Sequence, residues 1–187
     1  SSGGPPVILP HGRADARPAW QDAPVASTFE VVTDSRHGPA QLFDLSLDVG
    51  EHVGSMRGSR ESAVAGVTSG TLQRGDSVTW RARHFGVWFR LSVRITDLDR
   101  PRRFVDEQTA GPFRRFRHEH RFEARGGGTR MVDTITVASP VLGRIVEPLV
   151  LVPYLRRLII RRNTHLLDVL DARDGAPHDV SDGTGLR

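Results

Sequence analysis

The chain is 187 residues long and carries 26 basic against 22 acidic residues, every basic one an arginine, for a formal charge of +4. Its pI near 10.9 reflects arginine's failure to deprotonate, not a basic surface, and the arginines are spread along the chain, which argues against a nucleic-acid partner. The absence of cysteine excludes disulfides and thiolate chemistry, and the length suits one domain with a real core.

Residues 1–26 are rich in Pro, Gly, Ala and Arg without periodicity and read as a flexible arm. Their start, Ser-Ser-Gly-Gly-Pro-Pro, has neither a basic n-region nor a long apolar run, so no secretory signal is read and the cytoplasm is expected. A folded unit is expected from Ser27 to Ala172, and a second flexible segment over 173–187. The folded unit opens with a strand, Thr28 to Thr33. Asp34 or Ser35 is placed to cap a helix carrying Ala40, Leu42, Phe43, Leu45 and Leu47. A short helical turn follows around Glu51 to Met56. Strands are expected at Glu61–Val67, Ser77–His84, Val87–Thr96, Arg103–Thr109, Arg114–Glu123 and Thr129–Ala138, with Gly126-Gly127-Gly128 turning the last two into a hairpin.

Val141 to Leu155 is the most apolar run, but Arg144, Glu147, Pro148 and Pro153 interrupt it, so no transmembrane segment is read. From Tyr154 the period changes. Leu155, Leu158, Ile159, Leu166, Val169 and Leu170 recur at helical spacing, predicting one amphipathic helix to Ala172. At 1.5 Å per residue it is about 27 Å long, enough to cross a sheet. Strand, two short helices, six strands and a long helix describe an α+β fold: a curved antiparallel sheet of six to seven strands around a C-terminal helix.

That order resembles the START/Bet v 1-like helix-grip superfamily, also called SRPBCC or polyketide cyclase/dehydrase-like. Its bacterial ligand-binding branch is the nearest in local sequence. The resemblance rests on Gln41-Leu42-Phe43-Asp44, the run Val78 to Gly86, Gly111-Pro112-Phe113, the run Phe116 to Phe122, and Thr129 to Asp133. It implies a cavity between sheet and helix and a small apolar or amphipathic ligand of lipid or polyketide type, but no particular chemistry.

Strand phasing supplies candidate residues. In Phe113-Arg-Arg-Phe-Arg-His-Glu-His-Arg-Phe-Glu123, Phe116, His118, His120 and Phe122 share one face and the charged residues share the other. The aromatic face points inward. Val78, Trp80 and Ala82 carry His84 inward; Phe104 carries Asp106 and Gln108; Met131, Ile135 and Val137 carry Asp133. Phe89, Leu91, Ile135 and, from the helix, Leu158 complete the apolar lining. Arg162, between Leu158 and Leu166 on the apolar stripe, either anchors an acidic group in the cavity or snorkels to its rim.

Three readings of the polar set stay open: a satisfied network shaping a ligand pocket; a cyclase or dehydratase acid–base site using His118, His120 and Asp133; and a metal set of the same three residues. The pocket is preferred, with no cofactor and no metal expected. A non-catalytic structural or interaction protein with a vestigial cavity is the remaining class. Trp80, Trp88 and Tyr154 are read as core or rim packing. Arg156-Arg157 and Arg161-Arg162 could touch anionic headgroups, although a solvated helix face is the default.

Overall fold

Strand alternation does most of the building. The computed structural model describes residues 26–139 and 147–175; the expected N-terminal arm, the 140–146 stretch and the tail beyond 175 lie outside the described residues. Seven strands are present: β1 (Ser27–Ser35), β2 (Ser62–Gly66), β3 (Ser77–His84), β4 (Val87–Asp99), β5 (Arg103–Ala110), β6 (Arg115–Arg125) and β7 (Gly128–Ala138). They form one sheet in the order β1-β7-β6-β5-β4-β3-β2, with every neighbouring pair antiparallel. Two short helices, α1 (Pro39–Ser46) and α2 (Val49–Ser55), follow β1. The long helix α3 (Val152–Gly175) closes the fold after a π-helical turn at Glu147–Leu151. This is the helix-grip architecture that the alternation predicts.

Asp34 and Ser35 do not cap α1. The β1 ladder runs on through them, pairing with Arg130 and Thr129, so Gly38 takes the N-cap position, with Pro39 beginning the helix. Gln41 closes the turn by accepting from the Gly38 N–H at 2.9 Å. Asp48 caps α2 by accepting from Glu51 N at 2.9 Å.

Two register shifts in the β4/β5 ladder, at Ser92/Val93 and Ile95/Asp97, bend the sheet as bulges do. The concave face thus wraps α3. The main core lies beneath the C-terminal half of that helix, where Leu166 and Leu170 meet Leu42, Phe43, Phe104, Phe122 and Met131. Each such side chain contributes about 1.5–3 kcal/mol when fully buried. The N-terminal half of α3 packs instead on a smaller cluster, with Val152, Leu155 and Ile159 against Phe29, Val31 and Ile135, and Leu155, Leu158 and Ile159 stay only partly buried. These three side chains also line the cavity between helix and sheet.

Among the described residues, no helix is long and apolar enough to cross a membrane.

Candidate functional site

The cavity measures about 300 Å³. Its walls are mostly apolar: Trp80, Ala82, Phe89, Leu91, Val93 and Ile95 from β3 and β4, Phe104, Phe116 and Ile135 from the facing strands, and Leu155, Leu158 and Ile159 from α3. Phe89, Leu91, Phe104, Phe116 and Ile135 of the sheet and Leu158 of the helix are among these lining residues. His84, Asp106, His118, His120 and Arg162 also reach the wall.

Three residues of the predicted set lie elsewhere. Phe122 is packed into the core, with its ring 5.5 Å from Phe43 and 6.1 Å from Phe104, because α1 covers that end of β6. Gln108 turns away to hold the β5–β6 loop, accepting from Phe113 N at 3.3 Å and donating to Phe113 O at 2.7 Å. A Cβ at Gly111 would meet Gln108 Oε1 at 2.7 Å and the Leu91 side chain at 2.9 Å, so those side-chain ends would have to shift to admit one. Asp133 points inward but is 0% exposed, covered from the cavity by its own partners.

Those partners make a buried polar knot. Sheet register sets His120 opposite Asp133 and His118 opposite Asp106, and cross-strand neighbours project from the same face. Oδ1 of Asp133 accepts from His118 Nε2 at 3.0 Å and lies 2.7 Å from His120 Nδ1. Its Oδ2 accepts from Asn163 Nδ2 at 2.7 Å. Arg162 reaches in from α3 with Nη1 at 3.5 Å from Asp133 Oδ1 and 3.1 Å from Asn163 Oδ1. Snorkelling is thereby ruled out: the guanidinium is buried at 4% exposure. Asp106 closes the other side, with Oδ2 3.2 Å from His120 Nε2 and 3.9 Å from His118 Nδ1. His120 also stacks on Phe104 at 4.0 Å.

Burial works against charge throughout this knot, and the pairing decides the outcome. Burial would raise the Asp133 carboxyl, but the His118 hydrogen bond, the adjacent His120 imidazole and the Arg162 charge hold it well below the usual carboxylate range. Asp106 is likewise pulled below that range, its burial outweighed by the His120 hydrogen bond and the neighbouring imidazoles. His118 is lowered, first by burial and then by repulsion from His120, against the pull of Asp133 and Asp106.

All three shifts act on stability in the same direction. A group whose native pKa is depressed holds fewer protons folded than unfolded, so its stabilising contribution is complete above the unfolded value and falls away as pH drops through the folded one. The His118 contribution should fade first, below about pH 6.5, and the two aspartates should follow below about pH 4. In chelator-containing buffer, the urea midpoint should therefore decline steadily from pH 7.5 to pH 3. A midpoint that is flat or rising over that interval would contradict these assignments.

The cavity mouth is defined by the β3–β4 hairpin and the start of α3. Phe85 and Gly86 both take positive φ, 51° and 81°, the primed-turn geometry that suits a two-residue hairpin but is unusual for phenylalanine. Phe85 is 69% exposed, and its ring sits 4.6 Å from Tyr154. The Tyr154 hydroxyl lies 2.6 Å from His84 Nδ1. Burial lowers the His84 pKa, which suits a hydroxyl donating to an unprotonated nitrogen.

Sequence reasoning missed His52, Glu61 and Asn163. His52 Nε2 lies 2.8 Å from Glu61 Oε1, and its ring stacks on Trp80 at 4.1 Å; both residues line the cavity. The signal was present, since Val49, His52, Val53 and Met56 share one helical face, and Asn163 sits on the same stripe as Ile159, Leu166 and Leu170. Two arginines read as helix-surface charges are engaged otherwise. Arg156 donates to Glu30 O at 2.7 Å, and Arg162 is in the knot. Trp88 is exposed on the outer face of the sheet, out of phase with the cavity-lining Phe89, with the Arg81 guanidinium 4.1 Å above its ring.

A curved sheet gripping a helix over an apolar cavity defines a helix-grip protein of ligand-binding type. Residues 22–152 match the model of the family described as "Polyketide cyclase / dehydrase and lipid transport", and the chain belongs to that family. A comparison with curated proteins finds no match. Among solved structures, the Thermus thermophilus protein TTHA0849 is similar at 20% identity and TM-score 0.64, covering 78% of this chain and 99% of its own. The Zhui aromatase/cyclase of a Streptomyces species aligns at 14% identity and TM-score 0.65, over 81% and 98% of the two chains. Major latex-like protein 151 of Panax ginseng aligns at 11% identity and TM-score 0.59, over 77% and 97%. At these identities the likeness is one of fold.

Proposed function

We propose that the protein binds a small amphipathic molecule in its cavity, with the apolar body against Phe89, Leu91, Phe116 and Leu158 and an oxygen-bearing end toward Asp106, His118 and His120. The observation that carries this reading is the composition of one cavity: a mostly apolar wall into which a buried His/Asp cluster is set. Ligand pockets have this composition, apolar overall with a few convergent polar groups that fix orientation. The volume of about 300 Å³ lies at the small end of the range for such pockets, which favours a compact fused-ring or medium-chain molecule over a long lipid. The family description supports the same ligand class, as does the aromatase/cyclase among the structural neighbours.

Native mass spectrometry of freshly purified protein, followed by calorimetry against fatty acids, flavonoids and aromatic polyketides, tests the proposal. The expected result is binding at about micromolar Kd, about −8 kcal/mol. No co-purified mass, no heat and no thermal shift across the panel would leave a vestigial cavity and a structural or interaction role. A cyclisation or dehydration of a poly-β-carbonyl probe that disappears in His120→Ala would move the function from binding to acid–base catalysis.

A further inference from the structure

The geometry points to a divalent transition-metal site made by Asp106, His118 and His120, an inference independent of which organic molecule fills the cavity. One donor atom from each of the three lies within 4.8 Å of the other two. Zinc-class ions take ring nitrogens and carboxylate oxygens at about 2.0–2.2 Å, which sets tetrahedral donors about 3.3 Å apart. Asp106 Oδ2 and His120 Nε2 are already 3.2 Å apart, and His118 Nδ1 is 3.9 Å from the same oxygen. Small turns of the rings would complete the set.

The proton count argues for a cation. Each imidazole faces a carboxylate at both nitrogens: Asp133 at 3.0 Å from His118 Nε2 and 2.7 Å from His120 Nδ1, and Asp106 at the two opposite nitrogens. Three of these contacts are close, at 2.7–3.2 Å, and the fourth, His118 Nδ1 to Asp106 at 3.9 Å, is beyond hydrogen-bond reach. Two neutral imidazoles carry only two protons, so one close nitrogen would turn a lone pair toward a carboxylate, which repels. A third proton would fill that contact by charging one ring, 3.7 Å from the other ring's centre, in a buried wall that already holds Arg162.

An ion between Asp106 and the two inward nitrogens removes the conflict. Both ring protons then go to Asp133, which orients the ligands as carboxylates commonly do behind metal-bound histidines. His120 Nδ1 is close to Asp133 yet makes no well-aligned hydrogen bond, so its ring has reason to turn. Asp106, His118 and His120 all line the cavity, whereas Asp133 is fully covered. Three protein donors with the remaining positions open to a cavity is the pattern of a site that takes an exogenous oxygen ligand.

Co²⁺ titration of chelator-stripped, tag-free protein, with no organic ligand added, tests the site. The expected result is one Co²⁺ per chain with the visible bands of four- or five-coordination, displaced by Zn²⁺. Asp106→Asn should weaken Co²⁺ binding at least about 100-fold, and Asp133→Asn, acting through the imidazoles, about 10- to 100-fold. His165→Gln, in a His–Glu pair away from the cavity, should leave it unchanged. If Asp133→Asn does not fold, Asp106→Asn decides alone. A spectrum identical to free aqueous Co²⁺, binding that survives Asp106→Asn, or binding lost in His165→Gln would overturn the proposal. Binding of organic ligands is read in separate titrations, so failure of one assignment is not mistaken for failure of the other.

Discussion

Asp133→Asn should lower the melting temperature by about 10 °C, corresponding to a loss of about 3 kcal/mol. The substitution is nearly isosteric, so the effect is one of charge and hydrogen bonding, not of volume. Asp133 takes hydrogen bonds from His118, Asn163 and Arg162 and lies against His120. An amide in its place presents N–H groups where two imidazoles and a guanidinium need an acceptor. It also strands the Arg162 charge, buried at 4% exposure, beside a neutral group, and an uncompensated buried cation is the costlier part. Arg162→Met should cost a similar amount by stranding the carboxylate instead. The double variant should be less unstable than the sum of the singles by on the order of 2 kcal/mol, because both halves of the pair are then removed together. Urea unfolding of the four proteins completes the cycle. Single variants that both stay within about 1 kcal/mol of the parent would show that the knot is hydrated and loose.

The strand faces of the site were legible in the sequence because a period of two leaves no freedom: once Phe116 and Phe122 point inward, His118 and His120 must follow. Depth was not legible. The phasing put Asp133 and Phe122 on the concave face with the histidines, but whether a residue on that face meets the cavity depends on what packs over it. Phe43 of α1 covers Phe122, and Arg162 and Asn163 of α3 cover Asp133 together with the imidazoles. The same limit applies to Arg162. Helical spacing placed it on the apolar stripe, yet its direction was decided by a carboxylate 29 positions earlier in the chain. Local signals also misled at α1, where Asp34 and Ser35 have the right side chains for a cap but belong to a ladder that does not end until after them. His52 and Glu61 escaped notice because a short helix and an irregular loop, not two strands, bring them together.

Leu158→Trp should abolish ligand binding while leaving the fold intact, with affinity for any cavity-bound probe falling at least about 100-fold, or about 2.8 kcal/mol. Leu158 hangs from α3 over the cavity and is only partly buried, so a larger side chain grows into empty space and not into packed neighbours. Overpacking strain, which costs about 1–3 kcal/mol in a filled core, is therefore avoided, and the indole can gain contacts that leucine lacks. The melting temperature should stay within about 3 °C of the parent or rise slightly, a shift of about 1 kcal/mol at most. Phe122→Leu supplies the opposite pattern. Its ring is 3% exposed and packed among Phe43 and Phe104, so shortening it should cost about 1 kcal/mol of stability and change probe affinity less than about threefold. Dye-displacement titrations and thermal melts on the two variants separate occupancy of the cavity from integrity of the core. A Leu158→Trp protein that binds the probe as the parent does would place the ligand outside this cavity, whatever the apolar lining suggests.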